Sequence, residues 1–475
     1  MQDGPGDTST HIRGQATNTT RRTRALTHLV SFAKVRTEID DMTTAPGSSR
    51  LWMALLLGSP GIACTASGGD SETATEASSS GTSAGDSTTD ATPTTTGGST
   101  SGEPTSVTGE PDTTTGDDGP EPPAAYEKWL KVEIPGTVCG NGSQYKFFIN
   151  YKEGAKDLMV MLEPGGACWD YASCSGKSPL SAAHLDGVPD DLMTPNGQSA
   201  NISPLIRRDL GAPTADFNLV YVPYCTGDVH TGNNVITYED PEGIGAPITF
   251  QHAGHANVLA ISEYLAKQFP TIDRLFITGC SAGGAGSLIN YYFFRSKLAP
   301  ARGYLMDDSG PIFPSTGKSA PLHAEIRQSW NVDSIFAELP KEYPITDDFG
   351  VLNTHLADMF PEDRLSTIFF QRDFNYSRYS YERFYPGANT KDDIMGYWAS
   401  DTKLLVNLYQ TRDNLGYYLP YWRALNDSHC VSIASYLDTD IEELGMNLGD
   451  YVNELFDDNA PMGRYMESFQ PDEDD

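Results

Sequence analysis

The sequence predicts an α/β fold in which a mostly parallel sheet is flanked by helices. Short apolar runs rich in β-branched residues alternate with helix-like stretches, a pattern typical of parallel sheets. Residues 158–162 (Leu-Met-Val-Met-Leu) are continuously apolar, as expected for a central strand that is buried on both faces. The apolar run over residues 273–278 turns through small residues into a helix-like stretch over residues 287–298.

The same patterns predict the individual elements. We expect an amphipathic helix over residues 257–269, which Pro270 ends. A turn at residues 153–154 (Glu-Gly) joins the first two strands. The expected strands are residues 145–151, 157–163, 218–224, 273–278, 303–306, 365–370 and 417–422.

Composition divides the chain of 475 residues into unequal parts. Residues 65–124 are almost all Ser, Thr, Gly, Asp, Glu, Pro and Ala, without Lys, Arg or an aromatic residue. Such a tract buries too little apolar surface to offset the entropy lost on ordering, so we expect a disordered linker. Aromatic residues resume at Tyr126, which predicts one folded domain over residues 125–475. Residues 1–41 have no packing pattern, and we interpret them as a non-structural extension before a true start at Met42.

Residues 42–64 have the features of an export signal. Arg50 precedes an apolar run of residues 51–63, which is too short to span a bilayer comfortably. The run ends in Gly-Ile-Ala-Cys, which resembles a bacterial lipobox with Gly where Leu is usual. We expect Cys64 to carry a lipid that tethers the protein to a membrane surface, and an ordinary secretory signal cut nearby is the alternative.

Charge and cysteine usage limit the partners and cofactors. The net charge of −32 disfavours nucleic acid and other polyanions. Apart from Cys64, six cysteines remain, an even number that predicts up to three disulfides in an exported protein, with 15 possible pairings. No C-x-x-C pair and no zinc-like spacing of His, Cys and Asp occurs, so we expect no metal site. The six cysteines are Cys139, Cys168, Cys174, Cys225, Cys280 and Cys430.

One short motif predicts a catalytic nucleophile. Residues 279–283 (Gly-Cys-Ser-Ala-Gly) fit G-x-S-x-G, the nucleophile elbow of α/β-hydrolases. A strand is expected before this motif and a helix after it, so Ser281 is the candidate nucleophile, and a small-residue turn kept for packing is the alternative. Residues 81–85 (Gly-Thr-Ser-Ala-Gly) also fit, but they lie in the expected linker without a neighbouring strand or helix, and we reject them.

A serine nucleophile needs a base, and the base needs an acid that fixes its tautomer. In α/β-hydrolases these residues follow the chain order Ser, Asp or Glu, His. His429 comes late in the chain, after the expected strand over residues 417–422, and is the candidate base; a surface or core histidine is the alternative. His323 and His355 precede the best acid candidate and lie in helix-like or loop surroundings.

Asp373 is the candidate acid because it follows the expected strand over residues 365–370. Asp307 and Asp308 also follow a strand, but that strand comes immediately after the nucleophile strand. We expect residues 308–310 (Asp-Ser-Gly) to shape the pocket wall instead. Asp401 is a third choice for the acid.

The developing oxyanion needs two backbone amides in a water-poor site. We expect one from Ala282, directly after the nucleophile. The other is expected from the glycine-rich turn after the central strand, at Gly166 and Ala167, where glycines let the backbone approach a substrate. A tight turn without a catalytic role is the alternative.

Two cysteines adjoin the expected nucleophile and base. Cys280 precedes Ser281, and Cys430 follows His429. If the serine and the histidine are hydrogen-bonded, the two cysteines come within disulfide range. We therefore predict a Cys280–Cys430 disulfide, with two buried thiols as the alternative.

Five motifs, in matching order between residues 132 and 430, carry a family resemblance. They are residues 162–168 (Leu-Glu-Pro-Gly-Gly-Ala-Cys), 221–225 (Tyr-Val-Pro-Tyr-Cys), 279–284 (Gly-Cys-Ser-Ala-Gly-Gly), 308–310 (Asp-Ser-Gly) and 429–430 (His-Cys). Together they resemble the pectin acetylesterase/Notum carboxylesterase family. The resemblance implies an α/β-hydrolase fold, a triad of Ser281, Asp373 and His429, and no cofactor.

The chain departs from that family at three places. An aromatic residue usually stands where this chain has Ala167, so the pocket edge is expected to be wider. The family's cysteine three residues before the histidine pair is absent, because residues 426–427 are Asn-Asp, so the family's disulfide pattern need not transfer. The segment around Asp373 matches only loosely.

The resemblance implies an esterase whose substrate is open. Plant members remove acetyl groups from pectin, and animal members remove a fatty acyl group from a signalling protein. We expect a surface-anchored serine esterase that deacetylates a polysaccharide, although the acidic charge argues against pectin itself. Longer acyl esters are one alternative, and a non-catalytic glycan-binding surface protein is another. We expect an aromatic-rich lid region, in which Tyr and Trp residues between positions 373 and 429 would stack on sugars or line an acyl pocket, but core packing accounts for most of them.

Overall fold

The computed structural model describes residues 123–469, except 389, 434, 435, 437 and 438. The expected extension (1–41), the expected export signal with Cys64 (42–64) and all but the last two residues of the expected linker (65–124) lie outside the described residues. Within the described part, no helix combines the length and apolar character needed to cross a membrane.

Eleven strands are described, and nine of them form one sheet. They are β1 (Trp129–Val138), β2 (Gln144–Asn150), β3 (Leu158–Leu162), β4 (Asn218–Val222), β5 (Asn234–Tyr238), β6 (Ile248–His252), β7 (Arg274–Cys280), β8 (Arg302–Asp308), β9 (Arg364–Ile368), β10 (Leu415–Leu419) and β11 (Arg464–Met466). The large sheet has the order β1-β2-β4-β3-β7-β8-β9-β10-β11, and β5 pairs with β6 in a separate hairpin. Neighbours from β4 to β11 are parallel, whereas β2 is antiparallel to β1 and β4.

Helices connect the parallel strands. They are α1 (Tyr171–Cys174), α2 (Gly254–Gln268), α3 (Ala282–Leu298), α4 (Ala320–Ser329), α5 (Val332–Phe336), α6 (Leu352–Met359), α7 (Phe374–Tyr381), α8 (Lys391–Tyr409) and α9 (Leu448–Leu455). Short 3₁₀ turns occur at Pro204–Ile206, Phe349–Val351, Leu425–Ser428 and Glu442–Leu444. α3 packs against α2 and against β3, β7 and β8, so the helix that follows the elbow lies over the centre of the sheet.

The central strands form the core. Every residue of β3, β4, β9 and β10 is buried, as expected for strands that are covered on both faces of a parallel sheet. The register pairs Leu162 of β3 with Gly279 of β7, and Cys280 of β7 with Asp308 of β8. The carboxyl ends of these three strands therefore meet at one edge, which is where α/β proteins place ligands.

The α/β-hydrolase fold class is confirmed. A mostly parallel sheet with helical crossovers surrounds a strand–turn–helix at Ser281. The strands expected at 365–370 and 417–422 begin and end one to three residues earlier, at Arg364–Ile368 and Leu415–Leu419. The patterns did not predict β1, the β5–β6 hairpin or β11, because they lie at sheet edges or outside the large sheet, where polar residues interrupt the apolar run.

Candidate active site

Ser281 lies in the sharp turn between β7 and α3. Its φ of 55° and ψ of −118° are strained for a non-glycine residue, as a nucleophile elbow requires. The flanking glycines leave the necessary space, since a Cβ at Gly279 would lie 2.5 Å from Leu162 O and one at Gly283 would collide with the same oxygen. The Ser281 amide donates to Asp308 O at 2.8 Å, which ties the elbow to the next strand.

His429 and Asp373 form a buried pair. Nδ1 of His429 lies 2.8 Å from Oδ2 of Asp373, and the Asp373 side chain is fully buried. Asp373 is also the N-cap of α7, where its Oδ1 accepts the Tyr376 amide at 2.9 Å. Each carboxylate oxygen thus has its own partner, so the helix fixes the acid and the acid fixes the imidazole.

Three carboxylates determine the basicity of His429. Burial lowers its pKa, but the charge and hydrogen bond of Asp373 and the charges of Asp308 and Asp427 raise it, and the net pKa lies above the ordinary value of 6.5. Burial raises the pKa of Asp308 itself, and burial together with the neighbouring Asp308 raises the pKa of Asp307 well above the usual range.

A disulfide joins the neighbours of Ser281 and His429. Cys280 is bonded to Cys430, with 5.5 Å between their Cα atoms. A ring nitrogen of His429 lies within 4.8 Å of Cys280 Sγ, so the imidazole stands beside the elbow. The pair is the one predicted from the positions of the two cysteines in the chain.

The other four cysteines also form pairs. Cys139 is bonded to Cys225 and Cys168 to Cys174. Among the described residues, two groups bring His and Cys atoms together as a metal site would: Cys168, Cys174 and His252, and Cys280, His429 and Cys430. Every cysteine in these groups is in a disulfide, so neither group offers the thiolates that a metal needs.

The expected oxyanion residues line a narrow pocket together with Ser281. Gly166, Ala167 and Ala282 all contribute to its wall. Gly166 has a φ of +67°, and a Cβ there would collide with Ser181 O and with the Tyr379 hydroxyl, so the turn requires glycine. The pocket encloses about 30 Å³. Its apolar wall includes Trp169, Val229, Ile312, Leu322, Ile326 and Trp330.

A buried ion pair between Glu163 and His184 lies next to the glycine-rich turn. Glu163, just before the turn, lies 3.3 Å from His184 Nε2 and accepts the Ser199 hydroxyl at 2.7 Å and the Tyr224 amide at 2.8 Å. Burial raises the pKa of Glu163, but these partners lower it below 4.5 in sum. Burial lowers the pKa of His184, but the Glu163 carboxylate more than offsets this and raises it above 6.5.

The rejected candidates have other environments. His323 is buried against Phe349, and burial lowers its pKa to about 4. His355 lies on the exposed side of α6 and contacts Pro344 O. The Asp401 carboxylate accepts the Lys318 and Ser319 amides and the Tyr381 hydroxyl, which fastens α8 to the segment before α4.

Sequence reasoning missed the contacts of Asp308 and Ser309. We expected them in the pocket wall, but they are not among the residues that line the pocket. Instead they bind the backbone that follows His429. Sequence reasoning also missed Trp330. Its ring lines the pocket, and its Nε1 donates a hydrogen bond to Cys168 O at 2.8 Å. Such contacts span more than a hundred residues, and no local pattern signals them. Tyr376 belongs to the aromatic segment noted in the sequence and does line the pocket.

Comparison with known proteins finds partial sequence matches to carboxylesterases. Residues 130–344 match the family model described as Pectinacetylesterase, a range that includes Ser281 but neither Asp373 nor His429. Palmitoleoyl-protein carboxylesterase notum2 of Xenopus laevis is 26% identical over 153 residues, which are 32% of this chain and 29% of that protein. Pectin acetylesterase 7 of Arabidopsis thaliana is 25% identical over 165 residues, which are 34% of this chain and 39% of that protein.

The matched segment spans about a third of the length of these curated relatives. A crystal structure of the Wnt deacylase Notum from Drosophila aligns with 17% identity and a TM-score of 0.49, covering 72% of this chain and 96% of that chain. The sheet and its helical crossovers define the fold as that of an α/β-hydrolase. The sequence matches show that the chain is similar to carboxylic ester hydrolases of the pectin acetylesterase/Notum family.

Proposed function

We propose that this protein is a serine esterase that removes acetyl groups from a polysaccharide. One observation carries the proposal: a buried His429–Asp373 pair stands beside a strained serine elbow, and a disulfide connects the two. A serine, an imidazole and a buried carboxylate in this chain order are the parts that acyl transfer requires. Many hydrolases share this chain order, so it does not identify the substrate. We infer the substrate from the size of the pocket.

In the first half of the reaction Ser281 Oγ attacks the ester carbonyl. Nε2 of His429 takes the serine proton, and Asp373 stabilises the imidazolium through Nδ1. The amides of Ala282 and of the Gly166–Ala167 turn donate to the oxyanion of the tetrahedral intermediate. When the intermediate collapses, the ester C–O bond breaks, the sugar hydroxyl leaves with the proton from His429, and the acetyl group stays on Ser281.

Water completes the second half. His429 removes a proton from water, and the resulting hydroxide attacks the acetyl carbonyl on Ser281. The second tetrahedral intermediate expels the Ser281 alkoxide, which regains its proton from His429. Acetate is released and the free enzyme is restored, so no cofactor is consumed.

The size of the pocket favours an acetyl group. A space of about 30 Å³ beside Ser281 holds two or three water-sized groups, whereas sites for drug-sized ligands enclose roughly 300–1,000 Å³. An acetyl group needs room only for a methyl group and its carbonyl. An eight-carbon chain requires the wall formed by Ile326 and Trp330 to move.

Two further features support the biological setting that we propose. Three disulfides are typical of proteins that fold in an oxidising compartment, which agrees with export and with a lipid anchor at Cys64. A net charge of −32 repels polyanions, so a neutral acetylated glycan is a better substrate than pectin.

A short ester panel tests the proposal. We expect purified protein to hydrolyse p-nitrophenyl acetate faster than p-nitrophenyl octanoate and to release acetate from acetylated neutral glycans. Ser281→Ala should lower kcat by about 10⁴–10⁶-fold. Ser83→Ala is the matched control, because Ser83 lies in the rejected G-x-S-x-G match, and this variant should keep full activity. An active Ser281→Ala protein would refute the mechanism.

The two alternatives give different results in the same experiments. A preference for octanoate would favour a longer acyl ester, the class of substrate that the name of the Xenopus laevis relative indicates. A fluorophosphonate probe forms a covalent bond with an activated serine. Failure of this probe to label Ser281 would favour a non-catalytic glycan-binding protein.

A further inference from the structure

We infer that Asp308 and Ser309 are positioning residues that hold the His429 loop against the nucleophile elbow. This inference rests on the proposed function, because it assumes that Ser281 and His429 react together. It assigns a role to a buried carboxylate that the proposed reaction does not use directly.

The side chains of Asp308 and Ser309 accept hydrogen bonds from three consecutive backbone amides. Ser309 Oγ accepts the Cys430 amide at 3.0 Å, Asp308 Oδ1 accepts the Val431 amide at 2.9 Å, and Asp308 Oδ2 accepts the Ser432 amide at 2.8 Å. The Ser309 hydroxyl also donates to Asp308 Oδ1 at 2.9 Å, which fixes the pair. The backbone directly after the base is therefore bound at every residue.

The same pair also holds the nucleophile. Asp308 O accepts the Ser281 amide at 2.8 Å, and the Ser309 amide donates to Ile368 O at 2.7 Å. Both side chains are fully buried. Asp308 thus contacts the elbow through its backbone carbonyl and the His429 loop through its carboxylate. These contacts fix the distance between the elbow and the loop.

The loop needs such anchoring because its backbone is strained. Asn426, Asp427 and Ser428 have φ values of 50°, 52° and 55°, and Cys430 has 65°. Non-glycine residues persist in the left-handed region only where the surrounding structure over-determines them. The contacts from Asp308 and Ser309 supply this constraint on the side of the loop that faces the elbow.

The Asp308 charge has a second effect on the base. The carboxylates that face His429 are Asp373 at the start of α7, Asp308 at the end of β8 and Asp427 within the loop itself. Each of them stabilises the imidazolium, so removing the charge of Asp308 favours the neutral ring. The acid limb of the pH–rate profile should then move to lower pH.

Asp308→Asn is the test, because it keeps the shape, removes the charge and turns an NH₂ group toward a backbone amide. With p-nitrophenyl acetate we expect kcat to fall about 100-fold, as for a misplaced catalytic group. KM should change far less, and the midpoint of the acid limb should shift to lower pH. Asp307→Asn is the matched control: the neighbouring Asp307 is not among the carboxylates whose charge raises the pKa of His429, and its side chain accepts the Gly310 amide instead of the His429 loop, so kcat and the midpoint should equal those of the wild type.

Two results would overturn the inference. One is an Asp308→Asn protein with wild-type kcat and an unchanged midpoint, and the other is an equal loss in both variants without a shift of the midpoint. If Asp308→Asn does not fold, Ser309→Ala replaces it and should lower kcat about 10-fold by removing the hydrogen bonds of the Ser309 hydroxyl to the Cys430 amide and to Asp308 Oδ1, so an unchanged kcat overturns the inference. Fluorophosphonate labelling of the wild type keeps the two proposals separate, because unlabelled Ser281 refutes the proposed function whatever the Asp308 variants do.

Discussion

The Cys280–Cys430 disulfide allows stability to be separated from positioning. It closes a loop of 150 residues, and in the chain-entropy model such a bond contributes about 5 kcal/mol to the free energy of unfolding. The Cys139–Cys225 disulfide closes 86 residues and contributes about 4.6 kcal/mol in the same model. Replacing either pair with alanines should therefore destabilise the protein by nearly the same amount.

Activity should distinguish the two double variants. Loss of Cys280–Cys430 frees the residue after His429 from the residue before Ser281, so kcat per folded molecule should fall about 10–100-fold. The loss is finite because hydrogen bonds from Asp308 and Ser309 still hold the loop. Loss of Cys139–Cys225 should leave kcat per folded molecule close to that of the intact protein.

The assay combines urea unfolding with initial rates at low temperature. Fluorescence gives the folded fraction of each variant, and the rate with p-nitrophenyl acetate is divided by that fraction. Non-reduced peptide mapping of the wild type checks the disulfide pairs first. If both double variants lose the same activity per folded molecule, or if neither loses any, the positioning role of the Cys280–Cys430 bond is refuted.

Three further predictions concern the rest of the site. Asp373→Asn should keep the cap of its helix but lower kcat by about 10⁴-fold, because the amide no longer enforces the reactive tautomer of His429; a loss below tenfold in the ester assay would contradict the pairing. Ile326→Ala should raise the ratio of octanoate to acetate hydrolysis at least about tenfold by opening the pocket, at a cost of about 2–5 kcal/mol in stability, and an unchanged ratio would show that this wall does not limit acyl length. His184→Ala should destabilise the protein by about 1–3 kcal/mol. This deficit should be largest between pH 4.5 and 6.5, since the contribution of the pair is lost as pH falls through the lowered pKa of Glu163 or rises through the raised pKa of His184, and a deficit that is flat across pH in thermal melts would refute the ion pair.

Local patterns predicted the sheet and the elbow because their signals are contiguous in sequence. The apolar run of β3 and the strand, glycines and helix around Ser281 each lie within about twenty residues, where periodicity and backbone requirements are legible. Asp373 and His429 needed an added rule, the order of triad residues along the chain. Only the structure shows that Asp373 caps a helix, although Asp is among the preferred capping residues.

Contacts between distant segments could not be predicted in this way. Asp308 follows a strand, so its position at the sheet edge was foreseeable, but its partners lie more than 120 residues later. The size of the pocket beside Ser281 depends on how Trp169, Ile326 and Trp330, which are far apart in the chain, come together in its wall. Packing at this level follows from the tertiary arrangement and leaves no periodic trace in the sequence.

The residues proposed for acyl transfer are divided between early and late parts of the polypeptide. The proposed oxyanion turn and the elbow come first, whereas the proposed acid and base come after residue 370, and the backbone that follows His429 binds the end of β8. A ribosome that has not yet released the final strands therefore holds a chain with a serine but no imidazole to activate it. In the proposed reaction, full activity therefore requires synthesis of the segment that contains Asp373 and His429, and it is reached once Cys430 has formed its disulfide with Cys280.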